Sequence, residues 1–234
     1  MLVRNGKVFC CEGCFLGKLA DKNYKQERDV TYLALAESLI TALDAREHET
    51  GLHSKRVACH THVLARRFTS DNEQLRQIYW GALLHDIGKI AIPDTILLKN
   101  GPLTEKEWFV MRSHPQRGYE IVAEVSFLQE ASQIILYHEE RYDGEGYPEG
   151  LVGESIPWGA RLFSVIDTLD AITSDRPYRE GKSFDEAKEE IISQSNRQFD
   201  PQAVEAFLAE ETVLREMAEM KCIAQPDIWE YGET

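Results

Sequence analysis

Five consecutive residues, His85-Asp86-Ile87-Gly88-Lys89, combine side chains that could bind metal ions. Histidine nitrogen and aspartate oxygen suit borderline and hard divalent metals, and a carboxylate can bridge two metals through its two oxygens. Lys89 follows His85 by about one helical turn, so its ammonium group could reach an anion held by such a metal. The pentapeptide suggests metal-dependent hydrolytic chemistry, although a helix cap or a hydrogen-bonded surface pair would also explain it.

Other potential ligands occur at predicted helix ends or within apolar helical segments. Taken singly, each of these residues could be a helix cap, a hydrogen-bonded core histidine or a solvated carboxylate. Together they favour a metal site, because helices in a bundle can converge their ligands in its core. Asp167 lies in the apolar run 162–169, where we expect a buried carboxylate that a metal or an arginine such as Arg176 must neutralise. The candidates are Glu49, His53, His114, His138, Glu139 and Asp167.

The elements that must position these residues are predicted to be helices. Apolar residues recur every three or four positions through most of the chain after residue 27. In the segment 28–48 this spacing predicts one buried stripe containing Tyr32, Leu35, Leu39, Ile40 and Leu43. Turn residues at 50–51, 100–102 and 143–146 separate the helices, and Pro157 lies at a predicted helix start. We therefore expect an all-α fold with the metal site in the core of a helical bundle.

The composition is that of an ordinary globular domain. The chain has 234 residues, of which 43% are hydrophobic and 28% are charged, and its formal net charge is −14. Such an acidic chain is a poor partner for nucleic acid polymers or anionic membranes. It contains no apolar run of about 20 residues and no signal-peptide core, so a cytoplasmic location without a membrane anchor is expected.

Residues 1–26 differ from the rest and are predicted to be an irregular or hairpin arm, with the main domain at 27–234. Cys11 and Cys14 have zinc-knuckle spacing, but no second ligand pair follows at the usual distance. Cys59, His60 and His62 could complete a site only if the fold brings them near. Free thiols, including Cys10, and a redox- or iron-sensing arm are the alternatives.

Several motifs in a fixed order resemble those of the HD-GYP domains. That family comprises helical-bundle metal phosphohydrolases that degrade the bacterial second messenger cyclic di-GMP, and the resemblance runs from about residue 34 to about residue 208. The motifs are Thr50-Gly51-Leu52-His53, His85-Asp86-Ile87-Gly88-Lys89, His114-Pro115-Gln116-Arg117-Gly118, Tyr142-Asp143-Gly144-Glu145-Gly146-Tyr147-Pro148, Asp167-Thr168-Leu169-Asp170-Ala171 and Asp175-Arg176-Pro177-Tyr178-Arg179.

The resemblance implies a role for each matched residue. Asp86 would bridge two metals, and Glu49 would add a third metal, as it does in trinuclear members. Lys89 would contact the scissile phosphate, and Arg176 and Arg179 would hold substrate phosphates. The loop containing Gly144 and Tyr147 would line the substrate entrance and could dock a protein partner, with no metal-ligand role implied for Tyr147. The implied metal ligands are His53, His85, Asp86, His114, His138 and Asp167.

One position departs from the family pattern. Two adjacent histidines are usual where this chain has His138 and Glu139. A carboxylate can replace imidazole as a ligand of iron or manganese. Its oxygen shifts the preference of the site toward harder metal ions. Ligation by Glu139 is the favoured outcome; the alternatives are that Glu140 takes its place or that the second metal is held loosely.

The resemblance implies hydrolysis of cyclic di-GMP by a hydroxide that bridges two divalent metals, most simply iron or manganese. The product would be linear pGpG, and a third metal could assist a second cut to GMP. Alternatives are a weakly active or inactive cyclic dinucleotide receptor or docking module, a mononucleotide phosphohydrolase, and an enzyme for a mixed guanine-adenine cyclic dinucleotide. A homodimer through the helix at 28–48 is a further hypothesis.

Overall fold

Helices form nearly all the regular structure in the residues that the computed structural model describes. These residues are 2–4, 7–9, 30–46, 52–175 and 180–219. Glu49, Arg176 and Arg179 lie outside these ranges, and so do Cys10, Cys11 and Cys14. The all-α prediction for the main domain is confirmed. None of the described helices is both long and apolar enough to cross a bilayer.

Within the described ranges, the longest connection between α-helices is the segment 138–157, which joins α7 to α8. Three 3₁₀ turns, at Ile87–Ala91, Ser126–Leu128 and Gly153–Ser155, complete the helical structure of the described ranges. The α-helices are α1 (30–46), α2 (Leu52–Ala65), α3 (Asn72–Leu83), α4 (Asp94–Leu97), α5 (Glu105–Met111), α6 (His114–Val122), α7 (Gln129–Tyr137), α8 (Trp158–Thr173), α9 (Phe184–Ser193), α10 (Pro201–Ala209) and α11 (Glu211–Glu219).

A short hairpin lies at the start of the chain. Strand β1 (Leu2–Arg4) pairs antiparallel with β2 (Lys7–Phe9). This agrees with one of the two forms expected for the arm. The boundary at residue 26 falls outside the described residues and stays a prediction.

Four helices form the centre of the bundle. Helix α2 packs against α3 and α8, and α7 packs against α3 and α8. Leu64, Leu83, Ile135 and Phe163 fill the space between these helices and are fully buried. Local sequence chemistry sets several helix starts: the Asp71 side chain caps α3, and Thr104 and Ser183 form capping boxes with Glu107 and Glu186.

The buried stripe of α1 agrees with the prediction at Ile40 and Leu43, which are buried, and differs from it at Leu35 and Leu39. Leu35 and Leu39 are 54% and 39% exposed, whereas Tyr32 stacks on Phe127 with a centroid distance of 3.8 Å. Two apolar stripes with helical spacing coexist on this helix, and the periodicity alone does not decide which one packs inward. The stripe that is buried consists of Leu33, Ala36, Ile40 and Leu43.

Gly88 and Gly118 lie where helix α6 packs against the 3₁₀ turn that follows α3. A Cβ atom on Gly88 would lie 1.9 Å from the His114 carbonyl oxygen and 2.4 Å from the Gly118 nitrogen. Both obstacles are backbone atoms, so rotation of a side chain cannot relieve the clash. Only glycine at position 88 permits this close approach of His114 to the His85-Asp86 segment.

We therefore predict that Gly88→Ala lowers the free energy of unfolding by about 1 to 3 kcal/mol, because α6 must move away from the turn. Urea denaturation measures the change. Gly159→Ala is the matched control, since its new Cβ meets mainly the terminal methyl of Ile134, at 2.7 Å, which can rotate. Equal destabilisation by the two substitutions would contradict the close-approach argument.

Candidate metal centre

Asp86 belongs to two groups of potential metal ligands at once. The first group is His53, His85 and Asp86, and the second is Asp86, His114 and His138. Within each group the ligand atoms lie within 4.8 Å of one another. The carboxylate of Asp86 is thus placed to bridge two metal ions, with imidazole nitrogens on either side.

Backbone carbonyls orient three of the four imidazole rings. The Nδ1 atoms of His85, His114 and His138 donate to the carbonyl oxygens three residues earlier, at 2.9, 3.0 and 2.8 Å. A carbonyl can only accept, so Nδ1 carries a hydrogen, and Nε2 is the nitrogen that each ring can offer to a metal ion. This second hydrogen bond is the usual device that fixes a metal-binding histidine.

The spacing of His114 and His138 fits a bound cation. Their Nε2 atoms are 3.0 Å apart, and two lone pairs at this distance repel each other unless a proton or a metal ion lies between them. Burial, together with the neighbouring His138 ring, lowers the pKa of His114 to about 4. Burial and the nearby His85 lower the pKa of His138 to about 3. A shared proton is therefore disfavoured near neutral pH, and a divalent metal fits the donor set.

The charge on Asp86 is maintained by its neighbours. Burial opposes its ionisation, but His85 and Lys89 hold its pKa well below the ordinary value. Lys89 Nζ lies 2.7 Å and His85 Nε2 lies 3.1 Å from the same oxygen, Oδ2. Burial disfavours protonation of His85, yet the Asp86 carboxylate outweighs it and raises the pKa of His85 to about 9. The site thus attracts positive charge.

Arg46, at the end of α1, holds the turn that carries Lys89. Its guanidinium donates to the carbonyl oxygens of Lys89 at 3.0 Å and Ile90 at 2.8 Å, and also to that of Ile92. It also pairs with Asp94, at 2.6 Å. Sequence reasoning missed this residue, which stands three positions before Glu49 and carries no motif of its own.

Of the two aspartates of α8, the buried one is not the one that the sequence indicated. Asp167 was expected to be buried, but its side chain is 39% exposed and its Oδ1 lies 3.4 Å from His53 Nε2. The buried carboxylate is Asp170, which accepts from His53 Nδ1 at 2.7 Å and from Arg56 at 2.6 and 3.0 Å. Despite burial, these two donors keep the pKa of Asp170 below its usual range.

Asp170 is therefore the residue that orients His53, as a carboxylate commonly does behind a metal-bound histidine. Sequence reasoning missed it, although a signal was present. Asp170 follows Asp167 by three residues and Arg56 follows His53 by three, so each pair shares a helix face.

Glu139 faces the same site from the end of α7. Its Oε1 lies 3.9 Å from His114 Nε2, and its carboxylate accepts a hydrogen bond from the Tyr147 hydroxyl. Burial and the carboxylates of Asp167 and Asp86 raise the pKa of Glu139. A positive ion at this position would relieve the crowding of negative charge.

Glu140 points elsewhere. Its buried carboxylate accepts from the backbone N–H groups of Glu149, Gly150 and Leu151 at 2.8 to 3.0 Å. These hydrogen bonds close the loop that begins at Tyr142. The alternative in which Glu140 takes over as a ligand conflicts with this arrangement, because three backbone donors would lose their acceptor.

An open pocket of about 300 Å³ adjoins the ligands. His138, Glu139, Tyr147 and Asp167 line it, together with Gly146 of the loop. Gly144, a predicted substrate contact, adopts a positive φ of 84° in the same loop, a conformation suited to glycine. It is not part of the pocket wall. The predicted ligand Glu49 and the predicted phosphate contacts Arg176 and Arg179 lie outside the described residues.

Comparisons with known proteins agree with this geometry. The family model described as HD domain matches residues 34–203. The cyclic di-GMP phosphodiesterase response regulator RpfG of Xanthomonas campestris is 43% identical over 192 residues, covering 81% of this chain and 50% of that protein. A cyclic di-GMP phosphodiesterase of Vibrio cholerae is 39% identical over 202 residues, covering 80% of this chain and 40% of that protein.

A solved structure shows the same fold. The crystal structure of a cyclic GMP-AMP specific phosphodiesterase of Vibrio cholerae matches 83% of this chain and 51% of that chain, with a TM-score of 0.61 and 22% identity. The chain spans half or less of the length of the two curated relatives. Because the family model covers most of the chain and the ordered motifs are present, the chain belongs to the HD domain family and, within it, to the HD-GYP group.

Proposed function

We propose that this domain hydrolyses a phosphodiester bond of a cyclic dinucleotide, with cyclic di-GMP as the first candidate. The observation that carries the proposal is the placement of Asp86 between two groups of histidine nitrogens. Two metals sharing one carboxylate are a common arrangement for the hydrolysis of phosphate esters. Names of the relatives, which include cyclic di-GMP phosphodiesterases, support the substrate class.

The ligand residues would hold two divalent ions, with Asp86 shared between them and Glu139 and Asp167 completing the set. Such ions would supply an activated water and neutralise the charge of the phosphate. Lys89 stands beside Asp86 and would contact a non-bridging phosphate oxygen, where an ammonium group stabilises developing negative charge. Arg176 and Arg179 would hold the phosphates of the substrate.

The metals are proposed to be iron or manganese. Histidines combined with several carboxylates suit these ions, and Glu139 adds an oxygen donor where the family usually has nitrogen. A third metal at Glu49 is a further part of the proposal. More than two metals per chain in protein purified without oxygen would support it.

The expected product is linear pGpG, and a third metal would position a second cut to GMP. Base selectivity is a separate question, because the relatives act by name on cyclic di-GMP and the solved structure is of a cyclic GMP-AMP specific enzyme. A mixed guanine-adenine cyclic dinucleotide is therefore the alternative substrate, and turnover of both compounds distinguishes the two.

Two interactions of the domain are also proposed. The loop 142–148 could receive a protein partner, and α1 could pair with its copy in a homodimer. Exposed Leu35 and Leu39, one helical turn apart on α1, support the second proposal, since apolar residues at helical spacing suit helix pairing.

Asp86→Asn should reduce the bound metal and lower kcat/KM for cyclic di-GMP by more than about a hundredfold, because the shared ligand loses its charge. Metal per chain is measured by mass spectrometry, and product is followed by chromatography with added iron or manganese. Asp185→Asn, at an exposed carboxylate on α9 that pairs with Arg215, is the control. If the wild-type protein holds two metals yet shows no turnover, the enzyme hypothesis is rejected in favour of a cyclic dinucleotide receptor.

Neighbouring glutamates provide a second test. Glu139→Gln should lower the number of metals per chain, whereas Glu139→His should preserve it, because imidazole is the usual ligand there. Glu140→Gln should leave the metal count unchanged but lower the free energy of unfolding, since its carboxylate serves three loop N–H groups. An unchanged metal count in Glu139→Gln would exclude Glu139 as a ligand.

Asp170→Asn should weaken metal binding by about 10- to 100-fold, because an uncharged amide with one acceptor oxygen cannot serve both His53 and Arg56 as the carboxylate does. Titration of metal-free protein with Mn²⁺ gives the affinity. Ser174→Ala is the matched control: it removes hydrogen-bond partners of Arg56 and of the Asp170 carboxylate but leaves the charged acceptor of His53 in place. If both variants weaken binding equally, the effect comes from Arg56 and the local packing.

A further inference from the structure

We infer that a groove beside the metal pocket binds one of the two purine bases of the substrate. Trp108, Phe109, Arg112, Tyr147 and Pro148 line this aromatic groove, which has a volume of about 640 Å³. The inference rests on the proposed function for its ligand, a cyclic dinucleotide.

The aromatic groove adjoins the metal pocket. Arg112 and Tyr147 line both cavities. From the metal ligands outward, the Tyr147 hydroxyl donates to Glu139, and the Arg112 guanidinium lies 5.5 Å from the centre of the Tyr147 ring. The same guanidinium lies 5.8 Å from the centre of the Trp108 ring. A ligand whose phosphate is at the metals therefore extends along this row of side chains.

The cavity volumes favour placing the reacting phosphate and the second base of the substrate in different cavities. A cyclic dinucleotide carries two nucleosides, and the metal pocket of about 300 Å³ is at the lower end of the volumes, about 300 to 1,000 Å³, that bury one ligand of ordinary size. The reacting phosphate and part of the sugar-phosphate ring can occupy that pocket. The second base needs additional space, which the aromatic groove supplies.

The surface chemistry of the groove suits a purine. Trp108 is 46% exposed and Phe109 is 82% exposed, so two aromatic faces are available for stacking. Glu105 also lines the groove, but among the described residues no carboxylate forms an ion pair with Arg112, so its charge can act on an anionic ligand. The guanidinium fork also matches the O6 and N7 acceptors of guanine.

Steady-state kinetics on two substrates test the inference. Trp108→Ala should raise KM for cyclic di-GMP by about 5- to 100-fold, the effect of losing one base-aromatic stack, with kcat little changed. Trp108→Phe should restore most of the affinity. Hydrolysis of bis(p-nitrophenyl) phosphate, which has no purine, should be unaffected. Phe68→Ala is the control, at an aromatic residue that is 45% exposed and lines neither cavity. It should change the hydrolysis of neither substrate.

Equilibrium binding separates this inference from the proposed function. Cyclic di-GMP should quench tryptophan fluorescence in the wild type, and Trp108→Phe should lose that quenching. Quenching that depends on Trp108 without turnover would refute the enzyme and leave the base site in place. Turnover with a KM that Trp108→Ala does not change would refute the base site. An equal loss of both activities would also refute it. Either result would favour a protein partner in the groove.

Discussion

The bundle must keep one carboxylate, that of Asp86, ionised where burial opposes its charge. Lys89 and His85 meet one of its oxygens, and His114 approaches the other at 3.4 Å. His85 and Lys89 belong to the same segment as Asp86, whereas His114 has to arrive from α6 in a fixed orientation. The close contact at Gly88 and the carbonyls that hold the imidazole Nδ1 atoms serve this requirement. The fold thus supports a cluster of ionisable groups that an apolar core alone would not tolerate.

Much of this site could be predicted from residue types and spacing. His114 does begin a helix and His138 does end one, because proline and apolar periodicity mark such boundaries locally. Burial was harder to predict. Asp167 and Asp170 share one face of α8, and the sequence does not show that Arg56 arrives from another helix to neutralise the second one. Leu35 and Leu39 illustrate the same limit, since periodicity defines a stripe but not its partner.

Glu139 and Glu140 show how adjacent residues of one type acquire different roles. They follow the end of α7, where successive side chains point in different directions. Glu139 is directed toward His114 and is held by the Tyr147 hydroxyl. Glu140 is directed toward the backbone at 149–151. Both glutamates therefore hold the C-terminal end of the loop 142–148, Glu139 through Tyr147 and Glu140 through residues 149–151. Because Glu139 also faces the metal ligands, loop position and ligand position are linked.

Arg46 joins a helix outside the central four to the turn that contains Lys89. Its guanidinium belongs to α1, while the carbonyl oxygens that it binds belong to residues 89, 90 and 92. A rotation or axial shift of α1 would have to break these hydrogen bonds or drag the turn along. The orientation of α1 and the position of the Lys89 ammonium group are therefore coupled. A change in this helix would change the chemistry of the domain.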